Sequence, residues 1–155
     1  MASDPKNRSP FDIPPLYFAL ALLSMYLLHR WLPIIDVIDP PLSWLGWLLI
    51  AGGIGLAVWA ERLFSRVGTG VRPFTPSTSL VATGPYRFTR NPMYLGMMLV
   101  LLGGFLLAGS IGSFLVIPVF FWWIHQRFVL PEETHMTEHF GDAYEDFKQK
   151  TRRWL

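Results

Sequence analysis

Two apolar runs, from about Pro92 to Ala108 and from about Ile111 to Leu130, are separated in this sequence only by Gly109 and Ser110. A bilayer core about 30 Å thick takes roughly 20 helical residues to cross. Apolar runs of that length joined by so short a link predict a tight helical hairpin whose turn barely leaves the bilayer. Two more apolar runs come first, from about Ile13 to Leu32 and from about Leu42 to Ala60. The predicted fold class is therefore all-α, a polytopic membrane protein with four transmembrane helices in a single domain spanning residues 1–155. Composition agrees. The chain is 52% hydrophobic and 15% charged, with seven Trp and twelve Phe, whereas soluble domains carry about 25% charged residues.

Local signals refine the four runs. Pro14 and Pro15 fall in the first turn of the first helix, where a missing N–H costs little. His29 and Arg30 near its far end can snorkel to the interface. The segment before it holds Asp4, Lys6, Arg8 and Asp12, with no small-x-small cleavage site after the apolar run, so this run reads as a retained span. Gly46, Gly52, Gly53 and Gly55 read as helix-packing positions, since small residues let membrane helices approach closely. Pro118 predicts a kink in the fourth helix.

Residues 61–91 form a polar connector with Arg62, Arg66, Arg72, Arg87 and Arg90 against one acid, Glu61. Pro73, Pro76 and Pro85, with Gly68, Gly70 and Gly84, argue against a long helix across its middle. The loop from Pro33 to Pro41 has Asp36 and Asp39 but no Lys or Arg. The positive-inside rule then puts the connector, both termini and the 131–155 tail in the cytoplasm. In the tail, Met136, Phe140, Tyr144 and Phe147 recur at helical spacing, opposite Glu138, Asp142, Glu145 and Lys148. This predicts a C-terminal amphipathic helix that lies on the membrane surface or caps a site.

Several chemistries are excluded or unsupported. The chain has no cysteine, so disulfides, thiolate metal sites and Cys nucleophiles are ruled out. A formal charge of +2 is too small to argue for a nucleic-acid partner. No G-x-G-x-x-G, G-x-x-x-x-G-K-[ST] or G-x-S-x-G pattern is present. His135-Met136-Thr137-Glu138-His139 matches H-x-x-E-H, but no spacing singles out a third ligand, and no metal is assigned.

The stretch from Gly84 to Gly96 carries the strongest chemical signal. Asn91 then Pro92 reads as N-cap and first helical residue. A helix N-terminus beside Arg87 and Arg90 suits a carboxylate or phosphate; it also reads as a cap with arginines at headgroup level. Glu132 and Glu133 leave the fourth run together, about 100° apart on a helix, so one of them is expected to face inward. His125, Gln126 and Arg127 are polar groups at shallow membrane depth.

Gly84-Pro85-Tyr86 with Arg90-Asn91-Pro92-Met93-Tyr94-Leu95-Gly96 resembles the G-P-Y…R-H-P-x-Y-x-G signature of isoprenylcysteine carboxyl methyltransferases and related phospholipid methyltransferases. Glu132-Glu133, then Phe140-Gly141, Tyr144 and Phe147, is similar to the family's E-E…F-G-x-x-Y-x-x-Y ending. The resemblance covers about residues 60–155, the expected catalytic core. It implies an integral-membrane methyltransferase using S-adenosylmethionine. It also implies a cofactor pocket drawn from Tyr86, Arg90, Asn91, Pro92, Tyr94, Leu95, Gly96, His125, Glu132 and Glu133. Arg152, Arg153 and Glu133 are the implied catalytic residues. The implied acceptor is lipid-like or prenylcysteine-like, a carboxylate methylated at the cytoplasmic face of a bacterial inner membrane. The bilayer is the implied partner, and oligomeric state is not read. The family's His is Asn91 here, which cannot titrate near neutral pH. Two alternatives stay open: an NADPH-dependent membrane reductase of sterol or enone type, and a non-enzymatic membrane binding protein.

Overall fold

Glycine sets how closely the second and third helices approach. A Cβ at Gly53 would lie 2.5 Å from the Gly96 carbonyl oxygen, and one at Gly96 would lie 2.6 Å from the Gly53 carbonyl oxygen. Gly46 and Gly103 repeat the arrangement, with 2.5 Å in both directions. Any side chain there would collide with backbone, so these four positions let two helices touch main chain to main chain. Gly52 and Gly55 are different, because a Cβ at either meets nothing within 4 Å. Of the four glycines expected to pack, two do so.

The structure is a computed structural model describing residues 12–32, 35, 38, 41–66 and 80–155. Its helices are α1 (Pro14–Trp31), α2 (Leu45–Arg66), α3 (Pro92–Ala108), α4 (Ile111–Phe114), α5 (Val116–Ile124), a π-helical segment (His125–Val129), α6 (Leu130–Phe140) and α7 (Asp142–Lys150). Short 3-10 turns cover Leu42–Trp44 and Gly84–Arg87. Asp4, Lys6, Arg8, Asp36, Asp39, Gly68, Gly70, Arg72, Pro73 and Pro76 lie outside the described residues.

Among the described residues, two helices are long and apolar enough to cross a membrane: Leu42–Arg66 and the continuous rod Ile111–Phe140. α3 has 17 residues and α1 has 18. Trp44, Trp47, Leu48, Val119 and Trp122 are each at least 59% exposed on this apolar exterior. Between α3 and α4, Gly109 caps α3 at φ +70°, a left-handed conformation that suits glycine. The Ile111 N–H donates to the Ile35 carbonyl at 3.1 Å, which ties the hairpin turn to the loop after α1. His29 Nδ1 and Ser110 Oγ, 3.1 Å apart, add a side-chain tie at the same end.

The expected boundaries shift in two places. α2 runs to Arg66 rather than ending at Ala60, so the first part of the connector is helical. The fourth helix does not end at Leu130 but continues to Phe140 with two interruptions. Proline accounts for both. Pro118 has no N–H for the Phe114 carbonyl, and the helix breaks into a turn at Leu115. Pro131 has none for the Arg127 carbonyl, and the backbone widens instead, with the Leu130 N–H donating to the His125 carbonyl five residues back.

The tail is two helices, not one. Gly141 at φ +52°, ψ −128° separates α6 from α7. The predicted apolar face holds across the break. Tyr144 and Phe147 join Ala60, Val81 and Tyr86 in a buried cluster, with Met136, Phe140, Met93, Leu63 and Phe64 packed on it. This face is spent on α2 and the end of the connector, folding the tail onto the protein. A second cluster, centred on Leu101, Ile124, Phe128 and Val129, fills the space between α1, α3 and the Ile111–Phe140 rod.

Replacing Gly53 or Gly96 with Val is expected to lower stability by more than about 1–3 kcal/mol, since backbone rather than a side-chain tip must move. Gly52→Ala is expected to be neutral or stabilising by up to about 1 kcal/mol. Thermal unfolding in detergent, followed by circular dichroism, separates the two classes. Burial holds the Tyr86 and Tyr144 phenols above the ordinary tyrosine range, with smaller contributions from the Glu132 charge on Tyr86 and the Glu133 charge on Tyr144. The folded protein keeps these protons where the unfolded chain, with tyrosines near pKa 10, releases them. Their stabilising effect is complete below about pH 10 and declines as pH rises past it. Tyr86→Phe should flatten the stability difference measured between pH 9 and pH 11.

Candidate functional site

The centre of the site is a buried carboxylate. Glu133 stands on the first turn of α6 and is 8% exposed. Arg153, in the extended segment after α7, grips it from one side. Its Nε lies 3.0 Å from both carboxylate oxygens and its Nη2 lies 2.8 Å from Oε2. Arg90 approaches from the other side, Nε to Oε1 at 3.5 Å, as an ion pair without hydrogen-bond geometry. The hydrogen bonds to Glu133 raise the Arg153 pKa further above its ordinary range and keep it charged. Paired, hydrogen-bonded charges of this kind tolerate burial that a lone charge does not.

Backbone contacts hold the two arginines in place. Thr89 and Arg152 form a parallel bridge, and the Arg90 N–H donates to the Arg152 carbonyl at 2.8 Å. Thr89 Oγ1 and Asn91 Nδ2 both donate to the Arg153 carbonyl, each at 3.1 Å. This corrects the reading of Asn91 as a side-chain cap. It occupies the N-cap position of α3 but makes no capping hydrogen bond, because its amide is committed to the tail. A neutral donor suffices for that task.

Glu132 also engages. Tyr94, on the first turn of α3, donates its hydroxyl to Glu132 Oε1 at 2.7 Å. The expectation that only one of the two glutamates faces inward is therefore wrong. Adjacent residues diverge by about 100° on a helix, and α3 and the tail each meet one of them. The π segment ends three residues before Glu132, so its extra residue turns the phase of the acidic pair by about 100°. The sequence signal for it was Pro131, read at first as the end of a span.

A third group lies beside this cluster. His125 stacks on Phe121 at 5.9 Å and 6° between planes, and Trp154 packs on both rings at 5.0 and 6.1 Å. His125 Nδ1 and Trp154 Nε1 are buried and, among the described residues, have no hydrogen-bond partner; the same holds for Arg90 Nε. Orphaned buried polar atoms are rare in folded proteins and call for an explanation. Trp154 was missed from sequence, since a Trp next to a chain end in an apolar protein carries no distinguishing pattern.

The remaining sequence candidates divide. Pro92 is fully buried at the start of α3. Leu95 is half-buried and its N–H bonds to the Asn91 carbonyl. Tyr86 lies in the buried cluster with Tyr144 and Phe147, 5.2 Å from Phe64, within reach of the Glu132 charge. Gly96 faces α2, where it packs on Gly53. The Arg152 side chain is exposed and only its carbonyl takes part. His135 and His139 stack at 6.3 Å on α6, and no group of three His, Cys, Asp or Glu among the described residues is arranged to hold a metal ion.

Comparison with known proteins gives this arrangement a context. A protein from Haemophilus influenzae of uncharacterized function is 41% identical over 63 residues, covering 41% of this chain and all of that protein. The protein-S-isoprenylcysteine O-methyltransferase of Schizosaccharomyces pombe is 32% identical over 93 residues, covering 60% of this chain and 39% of the yeast enzyme. The structure of a eukaryotic intramembrane Ras methyltransferase, an isoprenylcysteine carboxyl methyltransferase, superposes with a TM-score of 0.64 at 21% identity. That match takes in 94% of this chain and 52% of the other, a likeness of fold. The family model for phospholipid methyltransferases matches residues 42–143, from the 3-10 turn before α2 to within α7. With two thirds of its length inside that match, the chain belongs to the phospholipid methyltransferase family.

Proposed function

We propose that the protein is a membrane methyltransferase that uses S-adenosylmethionine, with its site around Glu133, Arg90 and Arg153. The observation that carries the reading is a set of buried nitrogens that make no hydrogen bond among the described residues, Arg90 Nε, Trp154 Nε1 and His125 Nδ1, next to a carboxylate pair. S-adenosylmethionine has a carboxylate, an ammonium and an aromatic base, and these residues fit such a ligand. Arg90 and the start of α3 would receive its carboxylate. Glu132 with Tyr94 would take its ammonium. When bound, the cofactor supplies an electrophilic methyl group.

The chain's own contribution is positioning. Methyl transfer needs a nucleophile in line with the methyl, and rigid orientation lowers the barrier. Glu133 locks Arg153 and Arg90 in a fixed geometry. Arg153, with 38% of its side chain exposed, retains hydrogen-bonding capacity for an acceptor carboxylate. A carboxylate acceptor is already ionised at neutral pH and needs no general base. Of the two tail arginines, the contact with Glu133 favours Arg153 and leaves Arg152 in a backbone role. The yeast relative is by name a protein-S-isoprenylcysteine O-methyltransferase and the solved structure a Ras methyltransferase, and a lipophilic or prenylated carboxylate is the acceptor class we assign here.

We read α1, α2, α3 and the Ile111–Phe140 rod as four crossings of a bacterial inner membrane. Residues 60–155 form the catalytic core, and the site and both termini lie at the cytoplasmic face. The arginine-rich connector and the apolar exterior support this orientation. Family membership weighs against the reductase reading.

Calorimetry of the purified chain in detergent is expected to show S-adenosylmethionine binding. Folded protein that binds none would sink the proposal. Arg90→Gln and Glu133→Gln should each weaken binding about tenfold or more, the worth of one charge-assisted hydrogen bond. Arg153→Ala should lower turnover of a prenylcysteine analogue, while Arg152→Ala leaves it within about twofold.

A further inference from the structure

The start of α1 lies outside the residues that match the family model, yet it is bound to the part of the rod that aims the two glutamates. Asp12 has a side chain only 5% exposed. Its Oδ2 accepts a hydrogen bond from Arg127 Nη2 at 2.5 Å, and its Oδ1 accepts one from the Tyr17 hydroxyl at 3.0 Å. Arg127 is the middle residue of the π segment. The Tyr17 ring packs edge-on to Phe128 at 5.6 Å and against Trp123 at 5.7 Å. Asp12 and Tyr17 thus both meet the stretch of the rod from Trp123 to Phe128.

That turn is where the helix takes up an extra residue. Pro131 obliges the α-helical ladder to break, but does not itself fix where the surplus residue sits or how the widened turn is oriented. Each residue of register is worth about 100° of rotation for everything downstream. Glu132 and Glu133 begin three and four residues beyond the last π residue, Val129. A charge pair that anchors the middle of the π turn to the segment leading into α1 therefore fixes their direction.

We infer that Asp12 is a positioning residue. Through Arg127 it holds the π segment in the setting that presents Glu132 to Tyr94 and Glu133 to Arg90 and Arg153. The inference rests on reading that cluster as the methyl-transfer site. A purely structural ion pair would contribute to stability and leave the aim of α6 unchanged.

The chain has no cysteine, so spin labels can be placed at Thr134→Cys on α6 and Arg62→Cys on α2, both exposed. Pulsed electron paramagnetic resonance then reads the distance between them in the full chain. Asp12→Asn is expected to shift or broaden that distance by several ångströms. It should also lower kcat about tenfold with the acceptor KM within about twofold. The charge-swapped Asp12→Lys/Arg127→Glu pair is expected to restore the wild-type distance. If Asp12→Asn fails to fold, Asp12→Asn/Arg127→Met removes both charges of this pair, and the same displacement is expected. Labels that stay in place in these variants, with only a lowered unfolding temperature, overturn the inference. Should the wild-type chain bind no S-adenosylmethionine, the reading of the site fails, and the label distances still decide the positioning claim.

Discussion

The carboxylate of Glu133 is the point on which the arrangement of the polar end depends. It joins α6, the start of α3 and the tail in one contact, through Arg90 and Arg153. Breaking a buried ion pair by removing one partner typically costs about 3–5 kcal/mol, because the other charge is left behind without compensation. That cost makes the alternatives to this geometry unfavourable, and it explains why the tail folds back instead of spreading over the membrane surface. The Thr89–Arg152 bridge and the two donors to the Arg153 carbonyl fix the backbone on which the ion pair is built.

The apolar part of the molecule answers to a different constraint. In a bilayer, lipid is as apolar as leucine, so burying side chains gives little drive for helix association. Close contact must come from shape. The Gly46–Gly103 and Gly53–Gly96 pairs supply it by bringing α2 and α3 within main-chain contact. That contact also fixes the start of α3, and with it Arg90 and Tyr94, relative to α2. A glycine in the family-like signature, Gly96, thus serves the site from the far side of its helix.

Much of this was legible in the residues. The runs of apolar residues, the two-residue hairpin link and the arginine-rich connector predicted the helices to within a few residues at most ends. Arg90, Tyr94, Glu132 and Glu133 were singled out, and the fold brings them together. Two of the failures trace to Pro131 and Gly141. Pro131 inside a continuous helix looks in sequence like its end, and Gly141 inside an amphipathic pattern leaves no mark on the periodicity of Met136, Phe140, Tyr144 and Phe147. Asn91 was read as a cap because local spacing gives it no other partner; its true partner is 62 residues away.

The sequence by itself determined that the chain is helical and rich in apolar runs, that arginines gather in its connector, and which family it resembles. The first two follow from composition and period, properties of neighbours along the chain, and the resemblance follows from the motifs at Gly84 to Gly96 and at Glu132 to Phe147. Only the tertiary structure decided that both glutamates are engaged, that Arg153 rather than Arg152 meets Glu133, and that Asp12 reaches Arg127 across 115 residues. The first and last depend on the helical phase of the rod, and the second on which side of the extended segment each arginine projects. A single extra residue in the π segment rotates that phase by about 100°, a change that arises from packing and a missing proline N–H together.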